Sequence, residues 1–600
     1  MQYKYWNKKI FLFYIINLSV IILSSLLFLY AFKNGIQSRI ALLKDFSPRT
    51  IQFLIKTIAF ILFGYFSSFV IFTILKIHPV EYKSDKKSLI FLSFGWILFC
   101  LGFFALVLKD WAMNRFPLDQ PEIVWHTLNN LKTANFDKSI LFEGIMRLVI
   151  CFIISLIFFV SILIYEIKQK LYKFSFLKLK NIFVNLLYLF FGLFCFLISL
   201  YSAYNDLRIS EYPEIIERAK IPPVDSEFFK KEYIKPENQN IIFPDKKRNL
   251  IILLVESMES SFCDTYNGGV MNNNLIPETT RIAKDNINFS PNNLIGGGID
   301  LSGTGWTIAG MTAKFAGLPF NLMGEGNLER KTFLPNAITL TDILNENGYK
   351  QRFIFGSDKH FAGRDALLES HGNVEVHDID WYKKEGLLSK DYYVFWGFED
   401  LKLFDFAKRE LNELSASAEP FMFGLLTVDT HMPTGYQCEE CPQTEDMPLK
   451  NTIKCTDKQV ADFVAWAAEQ PWYDNTTIVI MGDHLFMATA ETSPFPDLSY
   501  TNGSYSNYDN PRRWLDVFIN PSPDLHYSED NTKNRLFSSL DMFPTILAAM
   551  GCKIEGERLG FGVNLFSDEK TLCERYDEKY LNSKLMERSI QYLALETNDY

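Results

Sequence analysis

Glu256 closes the apolar run Leu250-Ile251-Ile252-Leu253-Leu254-Val255, and Asp483-His484 follow a second run, Thr476-Thr477-Ile478-Val479-Ile480-Met481-Gly482. Both runs are short, β-rich and bounded by turn or charged residues, which predicts fully buried strands of an α/β sheet. Chemistry in such sheets collects beyond the carboxyl ends of the strands. Two neighbouring strands ending in these residues would gather two carboxylates and an imidazole, a donor set for one divalent metal with room for a fourth ligand.

Gly303-Thr304-Gly305-Trp306-Thr307-Ile308-Ala309-Gly310-Met311 lies between them. The glycines suit a tight turn, and the residues after it suit a helix. A Thr in the first turn has its hydroxyl among free N–H groups at the positive end of the helix dipole. That environment suits an alkoxide and then a phosphate ester, and a divalent metal would lower the hydroxyl pKa further. Taken alone, such a Thr is better explained as a helix cap; Glu256 and Asp483-His484 shift that balance.

The elements that must position these residues occupy the last two-thirds of the 600-residue chain. Before them come apolar stretches at 10–32, 52–75, 88–108, 147–166 and 182–203, each near the length of a bilayer span. Lys-dense segments around Lys8-Lys9, Lys83 to Lys87 and Lys168 to Lys180 predict a cytoplasmic side, which puts everything after about residue 204 outside the cytoplasm. The expected domains are a five-helix membrane domain over 1–204, a juxtamembrane linker over 205–245 and an α/β domain over 246–600 with a mainly parallel sheet. Strands are expected at 249–255, 350–356, 421–428 and 476–482, and helices at 337–347 and 457–468, the latter starting at Thr456-Asp457. A net charge of −10 without a basic patch argues against a nucleic-acid partner. Cys100, Cys151 and Cys195 read as core residues of spans. Cys263, Cys438, Cys441, Cys455, Cys552 and Cys573 read as disulfide formers in an oxidising compartment, with Cys438-x-x-Cys441 as half a zinc knuckle the weaker reading.

Glu256-Ser257, Gly303-x-Gly305-x-Thr307, Phe361-Ala362-Gly363-Arg364-Asp365, Ser370-His371-Gly372, Thr427-Val428-Asp429-Thr430-His431-x-Pro433, Pro471-Trp472, Gly482-Asp483-His484 and Gly560-x-Gly562-x-Asn564-Leu565-Phe566 occur in that order. This set resembles the lipoteichoic-acid-synthase branch of the sulfatase/alkaline-phosphatase superfamily, and within it the phosphoglycerol transferases that decorate periplasmic glucans. The resemblance implies Glu256, Thr307, Asp483 and His484 as ligands of one divalent ion, manganese foremost, with magnesium or zinc as alternatives. It implies Thr307 as nucleophile, with Arg364 and His431 on the substrate phosphate. Thr304 is a rival nucleophile or substrate contact, and His371 either lines the site or is structural. Trp306 stands where the Gram-positive polymerases carry a basic residue, so polymer synthesis is not implied. A hydrolytic sulfatase is disfavoured, because the turn lacks the Cys/Ser-x-Pro-x-Arg motif that yields formylglycine.

The expected function is transfer of a phospho-alcohol head group through a phosphothreonine, at the inner membrane of a Gram-negative bacterium. The resemblance favours phosphoglycerol from a phosphatidylglycerol donor and periplasmic glucan as acceptor, ahead of phosphatidylethanolamine and lipopolysaccharide. The alternatives are a phosphoethanolamine transferase acting on lipopolysaccharide core sugars and a catalytically dead membrane sensor or scaffold. Arg512-Arg513 is read as exposed.

Overall fold

The computed structural model describes residues 86–115, 145–149, 152–153, 156, 181–207, 209–211, 221–237, 240–321, 333–432, 434–488, 492–496 and 512–596. They fall into two compact units, with 86–115 and 181–210 in the first and 211 onward in the second. In the first unit, helices α1 (Lys86–Arg115) and α2 (Asn181–Asp206) pack on each other. A Cβ on Gly192 would stand 2.1 Å from the Gly95 carbonyl, so the glycine permits the close approach. Lys109 on α1 is buried; it donates to Ser202 Oγ at 2.9 Å and pairs with Asp206, both on α2. Among the described residues no helix is long and apolar enough to cross a membrane. The expected spans at 10–32 and 52–75 and most of 147–166 lie outside the described residues, whereas 88–108 and 182–203 fall on α1 and α2.

The second unit is built on a seven-stranded sheet. Its strands are β1 (Asn249–Val255), β2 (Gly297–Gly298), β3 (Lys350–Phe355), β4 (Glu375–His377), β5 (Phe421–Leu426), β6 (Thr476–Gly482) and β7 (Trp514–Ile519). The order is β2-β7-β6-β1-β5-β3-β4. The five strands from β6 to β4 are parallel, while β7 runs antiparallel to β6, and β2 to β7. The apolar residues Leu250 to Val255 and Ile478 to Met481 are fully buried. Each such side chain contributes about 1.5–3 kcal/mol through burial, which is why both runs become central strands. Val255 stands opposite Gly482. Glu256 and Asp483 therefore leave adjacent strands at the same level.

Between strands come α3 (Thr307–Ala316), α4 (Leu340–Glu346), α5 (Arg364–Glu369), α6 (Asp400–Leu414) and α7 (Pro448–Ala468). Helix α8 (Met542–Ala549) follows β7. The expected start of α7 at Thr456-Asp457 is corrected, because the helix begins at Pro448. Asp457 lies inside it and caps a different helix, accepting from the N–H groups of Glu278 and Thr279 at 2.9 and 2.8 Å. A capping carboxylate need not belong to its own helix. Residues 221–237 and 240–245 pack onto the α/β unit: Phe228 and Phe229 enter its core, and Ile241-Ile242 pair with Lys553-Ile554.

Among the described residues one disulfide forms, Cys441–Cys455. The broader expectation for the six cysteines fails because Cys263, Cys552 and Cys573 are buried as free thiols, Cys552 and Cys573 in separate apolar clusters. Arg512 is also corrected: it is buried and paired with Glu259.

Candidate active site

Glu256, Asp483 and His484 come together in the buried interior, their ligand atoms all within 4.8 Å of one another. His484 Nε2 is 3.3 Å from Asp483 Oδ2 and 3.6 Å from Glu256 Oε1. Backbone and neighbouring groups fix the orientation of each. His484 Nδ1 donates to the Leu485 carbonyl at 2.8 Å, which leaves Nε2 with its lone pair facing the carboxylates. Asp483 Oδ1 accepts from the N–H groups of Ser257 and His484 at 2.7 and 2.9 Å, whereas Oδ2 is buried without a hydrogen-bond partner. Ser257 adopts φ 53°, a conformation that costs a non-glycine residue roughly 1 kcal/mol or more. That turn lets its N–H reach Asp483 while its hydroxyl donates to Glu256 Oε1 at 2.7 Å. Burial and the adjacent Asp483 charge push the Glu256 carboxyl up to about 8. Burial alone would lower His484, but Asp483, Glu256 and Asp300 outweigh it and raise the imidazole. The orphaned Oδ2, the free Nε2 and the crowding of like charges fit a divalent cation with oxygen and nitrogen ligands.

Thr307 is the first residue of α3, and its Oγ1 lies 3.5 Å from His484 Nε2. Trp306 precedes it in extended conformation and offers no side-chain cap, so the helix start is open toward the cluster. Thr304 is elsewhere. It is fully buried, accepting from the Leu301 N–H at 2.8 Å and donating to the Leu301 carbonyl at 3.0 Å. Its hydroxyl closes the turn before the helix.

A small open cleft is lined by Glu256, Thr307, Arg364, His431, Phe361 and Trp396, among others. Arg364 begins α5, donates to Ser357 Oγ at 2.9 Å and to the Asp358 carbonyl, and lies 4.5 Å from the centre of the Phe355 ring. Its Nε has no partner. His431 donates from Nδ1 to the Met432 carbonyl at 2.8 Å, and Trp396 packs against its ring at 4.7 Å. Burial pushes His431 down to about 4, so it is neutral at physiological pH with Nε2 as an acceptor. His371 is not part of the cleft lining. Its Nδ1 meets Asp342 Oδ2 at 2.8 Å and its Nε2 meets the Phe333 carbonyl at 2.5 Å, so both nitrogens tie segments together. Burial would lower its pKa, but Asp342 and the facing carbonyls raise it.

The family model described as Sulfatase matches residues 248–552, half of the chain. The chain belongs to the sulfatase family. Among curated relatives, phosphoglycerol transferase I of Xanthomonas campestris pv. campestris (strain B100) is 32% identical over 283 residues, covering 45% of this chain and 37% of the relative. Phosphoglycerol transferase I of Escherichia coli O157:H7 (strain EC4115 / EHEC) is 33% identical over 263 residues, covering 42% and 33%. The match thus spans about a third of the length of these relatives. Solved structures with similar chains include a protein in the alkaline phosphatase superfamily from Vibrio parahaemolyticus, at TM-score 0.41 and 19% identity, covering 60% of this chain and 78% of that one. The lipoteichoic acid synthase LtaP from Listeria monocytogenes aligns at TM-score 0.40 and 17% identity, covering 59% and 81%. The similarity lies with the phosphoglycerol transferase branch of the sulfatase superfamily.

Several supports of this sulfatase-family site carry no motif in the sequence. Asp300 accepts from the Leu485 N–H at 2.9 Å, and its burial raises its carboxyl to about 6. Lys314, fully buried on α3, donates to the Asp483 carbonyl and to Ser539 Oγ, both at 2.8 Å, and stacks over the Trp514 ring at 4.3 Å. The Glu259–Arg512 pair holds Phe486 just beyond His484: Glu259 accepts its N–H at 2.8 Å and Arg512 donates to its carbonyl at 2.5 Å. Behind His431, Asp400 accepts from the N–H groups of Val428 and Asp429 at 2.7 and 3.1 Å. Thr427 accepts from the Glu256 N–H at 2.8 Å and Thr430 donates to the Glu256 carbonyl at 2.5 Å, joining the His431 segment to the Glu256-Ser257 turn.

Proposed function

We propose that this chain is a membrane-anchored phosphotransferase that moves a phospho-alcohol head group from a phospholipid to a glycan outside the cytoplasm. The carrying observation is the Thr307 hydroxyl at an open helix start, 3.5 Å from His484 Nε2, in a cleft it shares with Arg364 and His431. Glu256, Asp483, His484 and Thr307 would hold one divalent cation, manganese being the favoured ion and magnesium or zinc the alternatives. When bound, that cation supplies positive charge that lowers the Thr307 hydroxyl pKa and offsets charge building on the phosphate.

The chain's own residues do the rest. Thr307 Oγ attacks the head-group phosphorus, the bond to the diacylglycerol oxygen breaks, and diacylglycerol leaves with a proton. The helix start and Arg364 stabilise the phosphate oxygens, the guanidinium through charge and directed N–H groups. A glycan hydroxyl then attacks the phosphothreonine, and the Thr307 oxygen leaves and regains a proton. Neutral His431 accepts the attacking hydroxyl's proton at Nε2.

Similarity to phosphoglycerol transferases favours phosphoglycerol from phosphatidylglycerol as the group and periplasmic glucan as the acceptor, rather than phosphoethanolamine on lipopolysaccharide. The apolar stretches of 1–204 would form the membrane domain of a Gram-negative inner-membrane protein. The exposed Ile90, Phe94, Ile97 and Leu101 on α1, and Phe190, Phe194 and Leu197 on α2, support lipid contact. Residues 246–600 would be the periplasmic catalytic domain and 205–245 the connection between them.

The deciding experiment incubates the full-length protein with phosphatidylglycerol labelled in its glycerol head group, without acceptor. Label on the Thr307 peptide is expected; unlabelled protein with intact metal content would refute the covalent route. Mass spectrometry of periplasmic glucan and lipopolysaccharide from a deletion strain then identifies the acceptor by the missing increment.

A further inference from the structure

Three sulfurs meet outside the catalytic cleft. Cys441 and Cys455 form the disulfide, and the buried Cys438 thiol lies 3.6 Å from Cys441 Sγ and 3.7 Å from Cys455 Sγ. Cys455 is on α7, and the other two are on the loop that leads into that helix. Gln459, one turn beyond Cys455, directs its side-chain N–H group at Cys438 Sγ (3.6 Å) and Cys455 Sγ (3.7 Å). The disulfide therefore has a third thiol within contact of both its sulfurs, and an amide donor able to stabilise a thiolate beside it.

We propose that Cys438, Cys441 and Cys455 form a thiol–disulfide exchange site in which Cys455 is shared between two alternative partners. The Cys438 sulfur, side-on to the bond at 3.6 and 3.7 Å from its two sulfurs, first rotates into line beyond Cys455 Sγ; the thiol then releases its proton and the thiolate attacks Cys455 Sγ. The Cys438–Cys455 bond forms as the Cys441–Cys455 bond breaks, and Cys441 leaves as a thiolate that takes up a proton. One disulfide and one thiol are present before and after, so no external oxidant or reductant is consumed. The two bonds close loops with sequence separations of 14 and 17 residues. Loop-closure entropy of the flexible chain separates them by only about 1.3-fold, so chain length selects neither staple strongly.

Either partner ties the same loop to α7. Tyr436 packs on the three cysteines, and its N–H donates to the Asp429 carbonyl at 2.7 Å, two residues before His431. Exchange thus preserves the anchor of the His431 segment while moving the reactive thiol from one sulfur to another. The inference concerns connectivity and stands apart from the proposed transferase activity.

The test is peptide mapping of full-length protein recovered from an oxidising compartment, acid-quenched, alkylated and digested without reduction. Cys441–Cys455 peptides alkylated on Cys438 and Cys438–Cys455 peptides alkylated on Cys441 are both expected, within about tenfold of each other. Cys438→Ser should give only Cys441–Cys455, and Cys441→Ser should give Cys438–Cys455 quantitatively. A single pairing in the wild type after equilibration with a trace of small thiol would overturn the proposal. So would two free thiols in Cys441→Ser, or three alkylated cysteines with bound zinc in the wild type.

Discussion

Gly310 lies so close to Asp483 that a Cβ at residue 310 would stand 2.2 Å from the Asp483 carbonyl oxygen. The helix that begins with Thr307 is thereby pressed against the strand end that carries Asp483 and His484, and Lys314, one turn on, bonds the same oxygen. The contact fixes how closely the Thr307 hydroxyl approaches the proposed cation ligands Asp483 and His484. Gly310→Ala must push the helix away or distort it, at about 1–3 kcal/mol. A melting temperature lowered by several degrees is expected, with a larger loss of metal affinity by titration calorimetry. Unchanged metal affinity would show that the contact does not set the site.

Asp400 and Asp429 give the His431 segment a pH dependence. Burial raises Asp400 to about 7, and burial with the Asp400 charge raises Asp429. The two backbone N–H groups that Asp400 accepts lower its carboxyl but do not offset burial, so both members of the pair hold protons above the range of an unfolded carboxyl. Between about pH 4 and 7 the native state holds a proton that the unfolded chain has lost. Stability is therefore full below the unfolded carboxyl pKa and falls as pH rises, at about 1.4 kcal/mol per pH unit for one proton. Asp429→Asn removes one of these protons and should make this part of the profile less steep in urea unfolding between pH 4.5 and 7.5. An equally steep profile in the variant would place the proton elsewhere.

The central strands and the start of α3 are readable from the chain because they depend on local pattern: continuous β-rich apolar runs, and glycines followed by a helix-forming segment. The gathering of Glu256, Asp483 and His484 is readable too, since strand ends in one parallel sheet share a face. The supports are not. Asp300 follows Gly296-Gly297-Gly298-Ile299 with no distinguishing pattern, and Lys314 reads as an ordinary charged helix residue until Trp514 and Ser539, distant in sequence, enclose it. The misplaced start of α7 has the same origin, because Asp457 caps a helix that only tertiary packing brings to it. Strands β2, β4 and β7 escape periodicity: two are very short, and β7 follows a segment without strand signals.

Arg364 tests the substrate side of the cleft. Its guanidinium is held by Ser357, the Asp358 carbonyl and the Phe355 face, leaving Nε without a partner. Lysine keeps the charge but loses the planar fork. Losing a charge-assisted hydrogen bond costs about 1.5–3 kcal/mol, so Arg364→Lys should reduce kcat/KM for phospholipid cleavage roughly 10- to 150-fold. Metal affinity should remain, because Arg364 is not among the proposed ligands. A fall in metal content matching the loss of rate would assign it a structural role.

The two threonines of the glycine turn separate chemistry from support. Thr307 presents its hydroxyl at the helix start, 3.5 Å from His484 Nε2, whereas Thr304 spends its hydroxyl on both backbone groups of Leu301. Thr307→Ala leaves the helix without a nucleophile and, with no side-chain cap lost, should melt near the wild-type temperature. Phospholipid cleavage and covalent labelling should both vanish. Thr304→Ala strands the Leu301 N–H inside the protein, at about 1–3 kcal/mol. It should lower the melting temperature and the rate while leaving label on the Thr307 peptide. Label on the peptide at residue 304, or turnover that survives Thr307→Ala, would overturn the assignment and indicate direct transfer to the acceptor without a phosphothreonine.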